Sequence, residues 1–150
     1  MSATSDQIPL AELKRQVKRC YAELWDAYNL GVIDQLLHPS VQFRGSLGQS
    51  ARGHEGVAAY VNGVHAALGA YRCAVENLVA GGQQVFAKVL FNGIHRAAFL
   101  GYPPTHSALQ WRSAALFEFD GVLARDIRVL GVLHDLTRQL DAHAHPRDTP

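Results

Sequence analysis

The chain has no run approaching the ~18 consecutive apolar residues of a membrane-spanning helix. No charged-then-apolar leader opens it, so neither a membrane span nor secretion is expected. Cysteine is scarce: Cys20 and Cys73 are the only two in 150 residues, one in a helix-patterned and one in a strand-patterned segment. That argues against a disulfide framework and for free thiols in a reducing, cytoplasmic setting. Neither charge sign dominates. The 14 basic and 13 acidic residues are scattered, leaving no basic patch to follow phosphates, so nucleic acid is not an expected partner. A glycine-rich phosphate loop and a Gly-x-Ser-x-Gly elbow are both missing, and with them any support for nucleotide binding or serine hydrolysis. His106, His134, His143 and His145 lack a spacing that would gather them around a metal, so no metal and no cofactor are expected. Internal repeats are absent too.

What is present is the pattern of one domain. A compact chain of this length buries roughly 68–70% of the surface its unfolded form exposes, enough for a single core. Residues 9–140 carry the apolar periodicity, while 1–8 (MSATSDQI) and 141–150 (DAHAHPRDTP) are polar and read as mobile ends. From Pro9, well suited to a first helical turn, Leu10, Leu13, Val17, Tyr21, Leu24, Trp25 and Tyr28 recur at helical spacing. A short helical turn over 32–37 stops at His38-Pro39, and a small strand over 41–44 runs into a Gly/Ser loop. A helix over 54–68 shows Val57, Tyr60, Val61, Val64 and Leu68 on one side. After Gly69 the period changes to two, and 71–79, 84–99, 107–119 and 122–130 read as strands. Helices first and sheet second predict an α+β domain in which a mainly antiparallel sheet curls over the early helices.

Asp120-Gly121 is a strong hairpin signal, because tight hairpin turns require positive φ. Pairing Phe119 with Val122 brings Phe117 opposite Ala124, Ala115 opposite Asp126, Ser113 opposite Arg128 and Trp111 opposite Leu130. All of these fall on the side assigned to the concave, helix-covered face. Asp126 is then a carboxylate among apolar neighbours. His95 shares the less polar side of the preceding strand with Ala87, Val89, Phe91 and Gly93. With Trp25, Tyr60 and Trp111 as walls, this is the composition of a small-molecule site able to move protons. The plainer readings are an Asp126–Arg128 ion pair, a hydrogen-bonded core histidine and core aromatics. The opposite face keeps Leu116, Leu123, Ile127 and Val129 between its charges, and an uncovered apolar sheet face predicts a homodimer.

The segment GIHRAAFLGYPPTH (93–106) resembles the part of SnoaL-like polyketide cyclases in which Gly-x-His leads to Gly, an apolar residue and Pro-Pro-Thr. LLHPSV, ARGHEGV, FDGVLARD and TRQL resemble further family segments and run in the family's order from about Leu10 to Leu140. The resemblance implies the cone-shaped α+β fold of the nuclear transport factor 2-like superfamily, with a pocket between curved sheet and helices and with 93–106 near its mouth. It also implies an aspartate on the final strand as acid/base for an intramolecular aldol closure. Counted without gaps from Asp120-Gly121, Arg128 stands in that place and Asp126 two residues earlier, on the same face of a regular strand. The chain is one residue longer than the family pattern between Gly121 and Arg138, room for a bulge. Trp25 and Tyr60 match pocket-lining positions, and His95 matches the histidine of Gly-x-His.

Two classes of function follow. One is cofactor-independent acid/base catalysis on a small hydrophobic carbonyl compound: aldol cyclisation first, isomerisation or hydration behind it. Asp126 and His95 are its catalytic candidates, and Trp25, Tyr60, Trp111, Ser113 and Arg128 its substrate contacts. The other is a non-catalytic, dimeric binding domain with the same pocket.

Overall fold

The computed structural model describes residues 7–45, 50–131 and 133–144. Pro9 opens the first helix, where its missing N–H is not needed, and its carbonyl accepts from the amides of Glu12 (2.9 Å) and Leu13 (3.3 Å). α1 (Leu10–Arg19) continues as a π-helical segment, Cys20–Asp26, where the Ala27 amide reaches back five residues to the Ala22 carbonyl at 3.0 Å. Leu13, Val17, Tyr21, Leu24 and Trp25 of the expected stripe are buried, whereas Tyr28 lies beyond the helix at φ 55° and is exposed. Gln16 is the polar exception on this face. Its amide donates to the carbonyls of Gln35 (3.0 Å) and Val122 (2.9 Å), tying α1 to the next helix and to the distal hairpin.

A 3₁₀ turn (Leu30–Val32) leads into α2 (Ile33–Leu36), and the chain then becomes extended at once. β1 is Leu37–Arg44, longer than the 41–44 expected. His38 and Pro39 lie inside it, and a register break between Leu37 and Gln42 accommodates a proline that cannot donate to a ladder. Then come β2 (Ser50–Arg52), α3 (Gly53–Ala67), β3 (Leu68–Gly81), β4 (Gln84–His95), β5 (Ala108–Asp120) and β6 (Leu123–Gly131). The six strands form one curved sheet in the order β2-β1-β6-β5-β4-β3. Only β1–β6 is parallel, so the α+β expectation of a mainly antiparallel sheet holds.

A helix absent from the expectation, α4 (Leu133–Ala144), follows the sheet. Residues 141–144, assigned to a loose tail, are its last turn, and His143 lies in it; residues 1–6 and 145–150 of the expected mobile ends, His145 included, lie outside the described residues. Ile8 is held: the Gln83 side chain accepts from its amide (3.2 Å) and donates to its carbonyl (3.0 Å). Gln139 of α4 brackets Gln110 in the same way, Oε1 accepting its amide at 3.1 Å and Nε2 donating to its carbonyl at 2.6 Å. Because the β5–β6 ladder ends at Ser113–Gly131, a side-chain amide takes over where the neighbouring strand stops.

The distal hairpin corrects the expected register. Asp120 pairs with Leu123, so the turn is centred on Gly121 and Val122, and of these only Gly121 has positive φ (64°). That is the requirement of a type II′ turn, which needs glycine at its first central position alone. Phe119 therefore pairs with Ala124 rather than Val122. Between Glu118 and Phe119 the register slips again, leaving Arg125 as the extra residue of a β-bulge. Beyond the bulge Glu118 pairs with Asp126, Phe117 with Ile127, Ala115 with Val129 and Ser113 with Gly131, none as expected.

Candidate ligand-binding site

Side chains alternate across a strand, so the bulge decides what β6 shows the helices. Ala124 and Ile127 are buried and Val129 is half-buried on the inner face. Asp126 and Arg128 lie on the other side of the sheet, in a groove shared with Gln42, Arg44, Ser50 and Arg52. There Arg128 Nε stands 3.3 Å from Asp126 Oδ1. The structure thus corrects two site assignments: neither the Asp126 carboxylate nor the Arg128 guanidinium reaches the concavity. It also corrects the outer apolar face, since Ile127 and Val129 point inward. The hydrophobic residues exposed outside are Val79, Phe86, Ile94 and Leu130.

The concavity is an aromatic box. Four rings come from the antiparallel strands β3, β4 and β5, because alternation puts Tyr71 on β3, Phe91 on β4 and Trp111 and Phe117 on β5 on one side. Phe91 and Trp111 are cross-strand partners and stack with centroids 5.4 Å apart. From the helices come Tyr21, set edge-on to Phe117 at 5.9 Å, and Trp25, edge-on to Tyr60 at 5.8 Å. Phe43 of β1 closes the far side, 5.1 Å from the Tyr60 ring. Between them remains a cavity of about 30 Å³, room for two or three water molecules at most when one needs roughly 10–15 Å³.

Electrostatically the box is neutral. Burial pushes the phenol of Tyr60 up to about 12 and those of Tyr21 and Tyr71 well above their ordinary value, so all three stay protonated at neutral pH. Burial likewise raises the Cys20 thiol, which lines the cavity, to about 12. Cys20 and Cys73 are unbridged. Two donors on β5 stand out: Trp111 Nε1 and, two residues on along the same face, Ser113 Oγ are buried without a hydrogen-bond partner among the described residues.

His95 is fully buried on the inner face but does not line the cavity. Its Nδ1 accepts the Thr105 amide at 3.2 Å and lies 2.9 Å from the Thr105 hydroxyl, which leaves the proton on Nε2. Burial lowers its pKa, the carbonyls of Ala97 and Tyr102 partly opposing, so the ring is neutral at neutral pH. In this state it pins the 96–106 loop, closing the Gly-x-His to Pro-Pro-Thr segment on itself. That loop borders a second hollow of about 210 Å³, where Ala98, Phe99 and Leu100 face Ala59, Gly63 and Ala67 of α3. Tyr60 and Val64 line both hollows, so Ala98, Phe99 and Leu100 lie across these two side chains from the box.

The family profile of SnoaL-like polyketide cyclases matches residues 15–128. The chain belongs to that family. Among solved structures it is similar to TsrD from Streptomyces laurentii, with a TM-score of 0.81 at 20% identity over 91% of this chain and 99% of that one. A SnoaL-like polyketide cyclase from Agrobacterium tumefaciens gives 0.72 at 17% identity over 85% and 97%. An LEH-like epoxide hydrolase from M. tuberculosis gives 0.70 at 15% identity over 87% and 90%. At these identities the likeness is one of fold, which is of the ketosteroid isomerase-like kind named for another solved neighbour. No curated protein matches the chain.

In this SnoaL-like chain the final strand, where the resemblance implied an aspartate, presents only aliphatic side chains to the cavity. Of the residues singled out in the sequence, the box brings together Trp25, Tyr60 and Trp111; Ser113 is buried two residues from Trp111 on the same face of β5 but does not line the cavity, His95 is set apart, and Asp126 and Arg128 are outside. Tyr21, Tyr71 and Phe91 were missed as site residues. Their signal was legible, because each sits on the apolar phase of its own helix or strand. Among the described residues no three His, Cys, Asp or Glu side chains gather as a metal site would require, and no helix is long and apolar enough to cross a membrane.

Proposed function

We propose that this SnoaL-like chain binds a small, flat, uncharged carbonyl compound between its sheet and helices, and that binding rather than proton abstraction is its main business. The observation that carries the reading is the character of the box: aromatic rings on the helix and sheet walls, aliphatic side chains on β6, and no carboxylate or imidazole among its lining residues. A buried donor without a partner costs about 1–3 kcal/mol, so a ligand oxygen accepting from Trp111 Nε1 or Ser113 Oγ would recover that loss and set the ligand's orientation. The phenols, held protonated, polarise a carbonyl but do not remove a proton. No cofactor is required.

Acid/base chemistry, with aldol closure as its leading form, is the second reading. It is favoured by the family and by one observation, the unpartnered Nε2 of buried His95. It requires the Thr105 contacts to part, since the basic nitrogen of His95, Nδ1, is taken up by Thr105 and Nε2 carries the proton. The same proposal includes a homodimer through the outer sheet face, where Val79, Phe86 and Leu116 sit on paired positions of three strands and Leu130 is 76% exposed. It keeps the cytoplasmic setting expected for two free thiols.

The test is titration with 1-tetralone and with tetralin, its analogue lacking the oxygen, read by tryptophan emission. Ser113→Ala should weaken the ketone about two- to tenfold, the worth of one neutral hydrogen bond at ~0.5–1.5 kcal/mol, and leave the hydrocarbon unchanged. Equal loss for both compounds removes the donor argument. Deuterium exchange at the ketone's α-carbon, abolished in His95→Gln, would favour the catalytic reading.

A further inference from the structure

The box as it stands is closed to the ligand it is proposed to hold. Its 30 Å³ is about a tenth of the smallest ordinary ligand pocket, roughly 300 Å³. A wall must therefore move, and most walls are fixed. Phe91, Trp111 and Phe117 stand at paired positions of β4 and β5, Tyr71 stacks on Phe91 with centroids 6.2 Å apart, and Tyr21 is wedged edge-on between Phe91 and Phe117. Trp25 is anchored through its carbonyl, which lies 2.7 Å from His65 Nε2.

Tyr60 differs in three respects. It is only half-buried, and its hydroxyl makes no hydrogen bond among the described residues. It stands between the box and the 210 Å³ hollow, lining both. Its phenol tip also rests directly over Gly45: a Cβ built there would fall 2.3 Å from Tyr60 Oη and 2.6 Å from Cζ. Glycine at 45 is thus a seat that only a residue without a side chain can provide.

We infer that Tyr60 is a gate seated on Gly45, and that its swing away from that seat joins the box to the hollow beside α3, setting the size of ligand admitted. The inference rests on the binding reading above. With the gate open, the phenol's own space and the hollow add to the box and bring it toward the ordinary pocket range. The ligand then has a flat part among the rings and an apolar extension lying along Ala59, Gly63 and Ala67, where larger side chains would block it.

The chain's own fluorescence reports the gate, because its 2 tryptophans, Trp25 and Trp111, both line the box. The probes are acrylamide, a small neutral quencher, and N-phenyl-1-naphthylamine, an uncharged dye excited by tryptophan. In Gly45→Ala the new methyl displaces Tyr60, and in Tyr60→Ala the gate is gone. Each should raise the acrylamide quenching constant several-fold, and the double variant should match the larger single effect, since both act on one element. Dye association to the wild type should level off with dye concentration at the opening rate, and should rise linearly in both variants. Gly45→Ala keeps the test open if Tyr60→Ala unfolds: its methyl also comes to 3.1 Å from Phe43 Cε1, a contact that a shift of a few tenths of an ångström relieves, whereas Tyr60 at 2.3 Å must leave its seat. Quenching in Gly45→Ala equal to wild type overturns the gate. Linear dye association in the wild type at the variants' rate also overturns it, while leaving the binding reading standing. Changed quenching with no dye bound by any form upholds the gate and sinks the binding reading instead.

Discussion

Replacing Asp126 by Asn tests the bulged register most directly. On the outer face the Arg128 and Asp126 side chains are 63% and 22% exposed at 3.3 Å separation. Ion pairs this wet contribute about 0–1 kcal/mol. A domain of about 150 residues loses roughly 2–4 °C in Tm per kcal/mol, so the expected fall is at most ~2–4 °C. It should shrink in high salt, because the Debye length drops from about 10 Å at 0.1 M to about 3 Å at 1 M. Had the pair been inside, the same change would strand a buried guanidinium at about 3–5 kcal/mol, a fall of roughly 6–20 °C. Thermal unfolding followed by circular dichroism at low and high salt separates the two ranges. Dye binding in the box should be unchanged, since Asp126 does not reach it. A salt-independent fall above ~6 °C, or lost dye binding in a folded variant, would refute the register.

Gln139→Ala should unclip Gln110 from α4. Because Gln110 is solvent-exposed and water can replace the lost bonds, the two together are worth about 1 kcal/mol; hydrogen exchange at the Gln110 amide should quicken, and unchanged protection would refute the bracket. Burial lowers the pKa of both His95 and His65, so the unfolded chain takes up their protons first as pH falls. Their contribution is therefore complete above about 6.5 and is lost on acidification toward the folded values; a Tm that rises from pH 7 to 5 would contradict this. With Cys20 raised to about 12 and Cys73 raised as well, neither thiol should react appreciably with iodoacetamide at neutral pH until the chain is denatured. Mass spectrometry counts the adducts, and rapid alkylation of the native protein would show the site to be open. Sedimentation giving a monomer at micromolar concentration would remove the proposed dimer.

Much of the fold was legible because it depends on short-range pattern. The stripe from Leu13 to Trp25, the change of period after Gly69 and the inward phase of β4 from Ala87 to His95 follow from geometry repeated every few residues, whereas Leu10 of the expected stripe is exposed. α4 was overlooked although Leu136 and Leu140 carry helical spacing and Asp135 and Arg138 pair across a turn at 2.6 Å. Its apolar positions are few, and the two buried leucines gain their meaning only from the strand end they cover.

By itself the sequence determined an α+β domain, the family it resembles, and which aromatics alternate onto one face. Tertiary structure decided which face β6 shows, because a strand has period two and one extra residue at Arg125 sends Asp126 out and Ile127 in. It also decided how much room the box holds. Volume depends on how rings from the π-helical segment, α3 and four strands interlock, down to the missing side chain at Gly45 under Tyr60, and residues so distant along the chain leave no local pattern to read.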